Sequence, residues 1–138
     1  MVSCFRAGTL GCSLGAWWSL HLSALRPDDL AAAVLFYGAG EADFSRSRAV
    51  DPRACTAYLG HFAEHDPWEP LAQVREMEAA LRAAGREVTV HLYPGTGHWF
   101  FEDSRPQAFD APAARLAWDR TLAFLHAHLP PLSPTGSG

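Results

Sequence analysis

The sequence predicts an α/β fold, repeated strand and helix units around one parallel sheet. Three observations carry that expectation. Short apolar runs alternate with helix-like patterns along the chain. One run, Ala31 to Tyr37, is continuously apolar and is closed by Gly38 and Gly40, as in a strand covered on both faces. Finally, Gly11-Cys12-Ser13-Leu14-Gly15 is a G-x-S-x-G pattern set between a short candidate strand and an apolar, helix-like run. A tight strand-to-helix turn needs small residues around its central serine, so that a strained backbone can lift that side chain into a cleft.

Taken in order, the first candidate strand is Phe5 to Gly11, a weak one because Gly8 interrupts it. The helix after the turn runs from Leu14 to Leu25 and ends before Pro27, because the residue preceding a proline is steered away from helical geometry. The second strand is Ala31 to Tyr37, followed by a polar stretch, Glu41 to Pro52, that reads as a loop. Ala57 to Ala63 is the third strand, running into the polar corner Glu64-His65-Asp66-Pro67. Between Glu69 and Ala84, Leu71, Val74, Met77 and Leu81 recur at spacings of three and four, which predicts a surface helix with one buried stripe. Gly85 is a natural stop for it.

Glu87 to Tyr93 alternates and is rich in β-branched residues, a fourth strand. Pro94-Gly95-Thr96-Gly97 then predicts a loop that carries His98. Asp110 is a good N-cap with Pro112 in the first turn of a last helix, which carries Leu116, Trp118, Leu122 and Leu125 to about Leu129. Pro130-Pro131 ends it. Residues 1–130 are expected to form one domain, and residues 131–138, rich in Ser, Pro, Thr and Gly, a disordered tail.

Composition narrows the function classes. A chain of 138 residues with 49% apolar content suits a single domain with one core. A formal net charge of −4 and the lack of any Lys/Arg cluster give no basis for a nucleic-acid partner or an anionic membrane surface. The cysteines, Cys4, Cys12 and Cys55, lack redox or metal-ligand spacing and are expected as free thiols in a reducing compartment. The start Met-Val-Ser-Cys-Phe-Arg is unlike a signal peptide and no apolar run suffices to span a bilayer, so a cytoplasmic location is expected.

Three polar residues stand just past the ends of three candidate strands: Ser13, Asp66 and His98. That edge is where open parallel sheets place their ligands, and the order Ser, Asp, His is that of the α/β-hydrolases. The residue types fit a charge-stabilised nucleophile. A serine hydroxyl is a weak nucleophile at neutral pH and needs a base such as His98 to take its proton. Asp66 would accept the other ring N–H and stabilise the imidazolium. Negative charge developing on a substrate oxygen would meet the backbone N–H of Leu14, at the start of a helix.

Five segments carry a resemblance to a known family: Gly11 to Ala16, Val34 to Gly38, Gly60 to Pro70, Tyr93 to Glu102 and Ala117 to Leu125. In order and spacing they resemble the dienelactone hydrolase family, over nearly the whole chain except the tail. The resemblance implies a partial α/β-hydrolase fold, with about four parallel strands flanked by helices and lacking the N-terminal strands. It also implies a hydrolase of a small carboxylic ester or lactone that works through an acyl-enzyme without cofactor or metal. By it Ser13, Asp66 and His98 fall on the family's nucleophile, acid and base. The namesake enzymes carry Cys where this chain has Ser13, and Arg, thought to hold a substrate carboxylate, where it has Glu102. Family members also have further strands and a second oxyanion N–H ahead of the turn. Without them the first strand becomes an open edge, through which a homodimer could pair. A second reading therefore takes the chain as an impaired remnant or pairing module.

Several residues admit a blander role. Cys12 would be the nucleophile only if the turn shifted by one residue, whereas Gly11 and Gly15 centre on Ser13. His61, His65 and Asp66 resemble a metal cluster, since two histidines four apart can share a ligand face, but they straddle a strand end and a proline corner, with no further ligand indicated. Trp99, Phe100 and Phe101 either wall an acyl pocket or fill the core; Trp99 and Phe100 are taken as candidate substrate-binding residues. Of Trp17 and Trp18, one is expected to pack inward. Glu64, Trp68 and Glu69 are expected to shape the loop around Asp66.

Overall fold

A computed structural model describes residues 6–38 and 55–131. Its elements are β1 (Ala7–Cys12), α1 (Leu14–Leu25), β2 (Leu30–Phe36), β3 (Ala57–His65), α2 (Leu71–Ala83), β4 (Val88–Gly97) and α3 (Ala111–His128). The strands form one parallel sheet in the order β1-β2-β3-β4. The expected loop at Glu41 to Pro52, Cys4 and the expected tail from Leu132 lie outside the described residues.

Alternation along the central strands sorts the core into two layers. Ala33 and Leu35 of β2 with Tyr58 and Phe62 of β3 meet Ala16 and Leu20 of α1 and Val74, Met77 and Leu81 of α2. Val34 and Phe36 of β2 with Leu59 and Ala63 of β3 form the other layer, closed by Tyr93, Phe100 and Ala117 of α3. Every residue of β2 is buried, which is why it reads as an unbroken apolar run. β1, at the sheet margin, is exposed at three of its six residues.

The helices follow their caps. Asp110 accepts the Ala113 N–H at 3.0 Å, with Pro112 in the first turn of α3. Gly85, at φ 79°, takes the left-handed position that ends α2. α1 spans the predicted residues, and its buried positions Ala16, Ser19, Leu20 and Ser23 lie along one stripe.

One segment differs from expectation. Pro94 to Gly97, predicted as loop, continues β4, because β3 also runs on to His65 and pairs with Gly97 past an irregularity in register. Pro94 has no N–H to offer a ladder, and the N–H of Gly95 instead donates to the Glu64 carboxylate at 2.6 Å. This longer pair fixes where His98 emerges.

Candidate active site

Ser13 lies between β1 and α1 with φ 55° and ψ −116°, a conformation that L residues rarely adopt. The turn is held by the Ser13 N–H, which donates to the Phe36 carbonyl at 2.9 Å, and by the Ser13 carbonyl, which accepts from Ala16 at 3.0 Å. Close approach dictates the surrounding glycines. A Cβ on Gly11 would sit 2.1 Å from the Gly15 carbonyl oxygen, and one on Gly38 would sit 2.2 Å from the Ser13 carbonyl oxygen.

A continuous hydrogen-bonded line leads away from this serine. Ser13 Oγ and His98 Nε2 are 2.9 Å apart, and His98 Nδ1 lies 2.6 Å from Asp66 Oδ2. With Asp66 as an acceptor, Nδ1 carries the ring proton and Nε2 accepts from the serine hydroxyl. The other Asp66 oxygen accepts the backbone N–H groups of Trp68 at 2.9 Å and Glu69 at 3.2 Å, which locks the carboxylate in its turn. His98 and Asp66 are both buried.

The histidine is boxed by rings. Tyr37, Trp68 and Trp99 have centroids 4.9, 5.0 and 4.7 Å from the imidazole. Tyr37 hydroxyl donates to Glu102 at 2.7 Å, and Arg105 Nε donates to the other Glu102 oxygen at 3.0 Å. Burial first, and then the bond to Glu102, push the Tyr37 hydroxyl far above its ordinary pKa, so it remains a neutral donor. Among the described residues, Ser13, Tyr37 and Trp99 are the non-glycine residues with positive φ, and all three surround His98. Backbone strain of this kind gathers where a fold holds a specific constellation.

The cavity beside Ser13 measures about 660 Å³ and is lined by Leu14, Trp17, Trp68, Glu69, His98 and Trp99 as well as the serine. Leu14 opens α1, where first-turn N–H groups have no intrahelical acceptor. Trp99 lies on the wall. Phe100 does not. It is fully buried behind the site, with ring centroids 5.6 Å from Tyr37 and 4.9 Å from Tyr93. Filling the layer between sheet and α3 takes this ring away from the cavity. Trp17, Trp68 and Glu69 line the wall instead; Trp17 is half-buried on that wall and Trp18 is exposed, so neither packs into the core.

The alternative chemistries find less support in the geometry. Cys12 ends β1, and burial, the largest influence, raises its thiol pKa, which favours the weakly nucleophilic neutral form. His61 points into the core, where Nδ1 meets the Tyr93 hydroxyl at 2.7 Å and Nε2 meets Thr121 at 3.0 Å. His65 instead pairs with Glu64. No group of three or more metal-ligating side chains is found among the described residues. No helix among them is long and apolar enough to cross a membrane.

Comparison with known proteins gives the geometry a lineage. The profile of the dienelactone hydrolase family matches residues 2–129. A Yersinia pestis protein that carries the name carboxymethylenebutenolidase is 34% identical over 112 residues, 78% of this chain and 42% of its own length. A Bradyrhizobium protein named for 2-oxo-3-(5-oxofuran-2-ylidene)propanoate lactonase activity is 30% identical over 130 residues, 90% of this chain and 51% of its own. A solved Klebsiella pneumoniae structure described as a dienelactone hydrolase superposes with a TM-score of 0.76 at 28% identity, over 88% of this chain and 52% of that one. The chain thus spans about half the length of the relatives it matches. With the profile matched across nearly all of its residues, the chain belongs to the dienelactone hydrolase family.

Proposed function

We propose that this chain carries the catalytic residues of a serine hydrolase acting on small carboxylic esters or lactones. The observation that supports the reading is the unbroken line from Asp66 through His98 to Ser13, ending in a cavity. Ser13 Oγ attacks the substrate carbonyl carbon while its proton passes to His98 Nε2. Asp66 accepts from Nδ1 throughout and stabilises the imidazolium. The oxyanion so formed faces the Leu14 N–H at the positive end of α1.

Collapse of that intermediate breaks the bond to the alcohol oxygen, which takes its proton from His98 and leaves an acyl group on Ser13. In a lactone the alcohol stays tethered to that acyl group. Water then gives a proton to His98, attacks the acyl carbon, and releases the acid with Ser13 restored.

Ser13→Ala is expected to lower hydrolysis of a short-chain aryl ester by about a thousandfold or more, as loss of a triad nucleophile does. A fluorophosphonate should label wild-type protein at Ser13 and leave the variant untouched. Hydrolysis unchanged by the substitution would overturn the assignment.

A further inference from the structure

Glu102 is not among the described residues that line the cavity, yet its carboxylate is joined to two of the three rings that box His98. Its Oε1 accepts the Tyr37 hydroxyl at 2.7 Å, and the Tyr37 ring centroid lies 4.9 Å from the imidazole. Its Oε2 accepts Arg105 Nε at 3.0 Å. The Arg105 guanidinium carbon lies 4.1 Å from the centroid of the Trp99 ring, which in turn lies 4.7 Å from the imidazole. Backbone bonds close the same turn, from the Glu102 N–H to the Trp99 carbonyl and from the Arg105 N–H to the Glu102 carbonyl, both at 3.0 Å. Each of the two rings sits on a residue with positive φ, 36° at Tyr37 and 68° at Trp99.

Strained conformations of this kind persist only where surrounding contacts over-determine them. Hydrogen bonds to a carboxylate are stronger than those between neutral groups, which suits Glu102 to that task. His98 has to accept from Ser13 at 2.9 Å and donate to Asp66 at 2.6 Å in one ring orientation, and a small misplacement of a catalytic group is costly to the rate. We propose that Glu102 is a positioning residue for His98. One carboxylate braces Tyr37 directly and Trp99 through Arg105, and the two rings hold the imidazole on the line between Ser13 and Asp66. For turnover the inference rests on the triad read above; for the order of the imidazole it does not.

The test uses Tyr37→Phe, which removes the hydroxyl and keeps the ring, together with Glu102→Ala, Glu102→Gln, and Tyr37→Phe combined with Glu102→Ala. With a short-chain aryl ester, Glu102→Ala is expected to lower kcat by about ten- to a hundredfold. KM should stay within about twofold of wild type, because neither Glu102 nor Tyr37 is among the described residues of the cavity wall. Tyr37→Phe should lower kcat by about tenfold. In the Glu102→Ala background it should cost less than about a further twofold, since the hydroxyl has by then lost that acceptor. Glu102→Gln keeps a carbonyl oxygen for Tyr37 and should return kcat to within about fivefold of wild type. Far-UV circular dichroism checks that each variant is folded; a purely structural loss would lower Tm and leave the kcat of folded protein unchanged.

The imidazole itself is read from the His98 Nδ1 proton in proton NMR, moved downfield by the short bond to Asp66 and sheltered by burial. His98→Gln identifies that signal by removing it. Glu102→Ala should speed its exchange with water by about tenfold, or broaden it away. An unchanged signal, or kcat losses in the two single variants that multiply in the double, overturns the proposal. A rise in KM at unchanged kcat would place Glu102 in substrate binding and likewise overturns it. A wild-type chain that hydrolyses no ester and resists the fluorophosphonate counts against Ser13, and the Nδ1 signal then decides the brace by itself. Turnover abolished by Ser13→Ala but unmoved by Tyr37→Phe and Glu102→Ala counts against Glu102 and leaves Ser13 standing.

Discussion

His61 shows how a single buried residue couples this fold to pH. Both ring nitrogens are engaged, by Tyr93 and Thr121, and the ring is stacked 5.9 Å from His91. Burial first, and then the charges of His91 and Arg120, push its pKa down to about 3. In the unfolded chain it titrates at its ordinary value of about 6.5. Between those values the unfolded state binds the extra proton, so this histidine's contribution to stability is present above pH 6.5 and falls away as pH drops toward 3. The loss is on the order of several kcal/mol. Urea unfolding at pH 7, 5 and 4 should show stability falling across the series, and His61→Gln should flatten that fall. Equal slopes in both proteins would contradict the role. From the sequence alone His61 and His65 have the spacing of a metal pair, which the strand end and proline corner between them already disfavour, but spacing does not disclose the partners each histidine meets. Tyr37 is hidden in the same way: it reads as the end of an apolar strand, whereas its partner Glu102 lies 65 positions away.

At the scale of an element, the turn around Ser13 separates two glycines that the pattern treats alike. Gly11 faces the backbone of Gly15 at a distance no side chain can occupy, while a Cβ on Gly15 meets nothing within 4 Å. Gly11→Ala is therefore expected to cost several kcal/mol, above the range of ordinary substitutions, and to displace Ser13. Gly15→Ala, in the first turn of α1, should be neutral or stabilise by about 0.5–1 kcal/mol through helix propensity. Thermal melts of the two variants check the asymmetry, and similar Tm values would refute it. The pattern thus locates the turn, but which glycine the packing demands depends on how α1 folds back over β1. Helix ends were legible for a related reason: Pro27, Gly85 and Asp110 act locally, so α1 and the start of α3 follow from a few neighbours. The extension of β4 through Pro94 was not legible, since it depends on Glu64 reaching across from β3.

Across the whole molecule, the two sides of α1 meet different surroundings. Ala16, Leu20 and Ser23 rest on the sheet, whereas Leu14, Trp18, Leu22 and Leu25, also following the helical period, are 67, 59, 40 and 56% exposed. A helix apolar on both sides is one suited to burial on both sides. The neighbouring β1 adds the exposed Leu10 and an edge whose second row of backbone groups no strand pairs among the described residues. The continuous apolar character of Leu14 to Leu25 made the helix legible, but only the structure reveals that one of its stripes is exposed among the described residues. The same edge is present on every copy, and a two-fold interface can bring an apolar patch onto itself. We therefore expect the chain to self-associate through β1 and α1. Sedimentation velocity should show the association growing with protein concentration. Trp18→Lys combined with Leu22→Lys should shift the chain to monomer while leaving its far-UV circular dichroism unchanged, because both side chains stand on the exposed stripe. A wild-type chain that stays monomeric across the series, or a variant that associates equally well, would show that this face does not drive pairing.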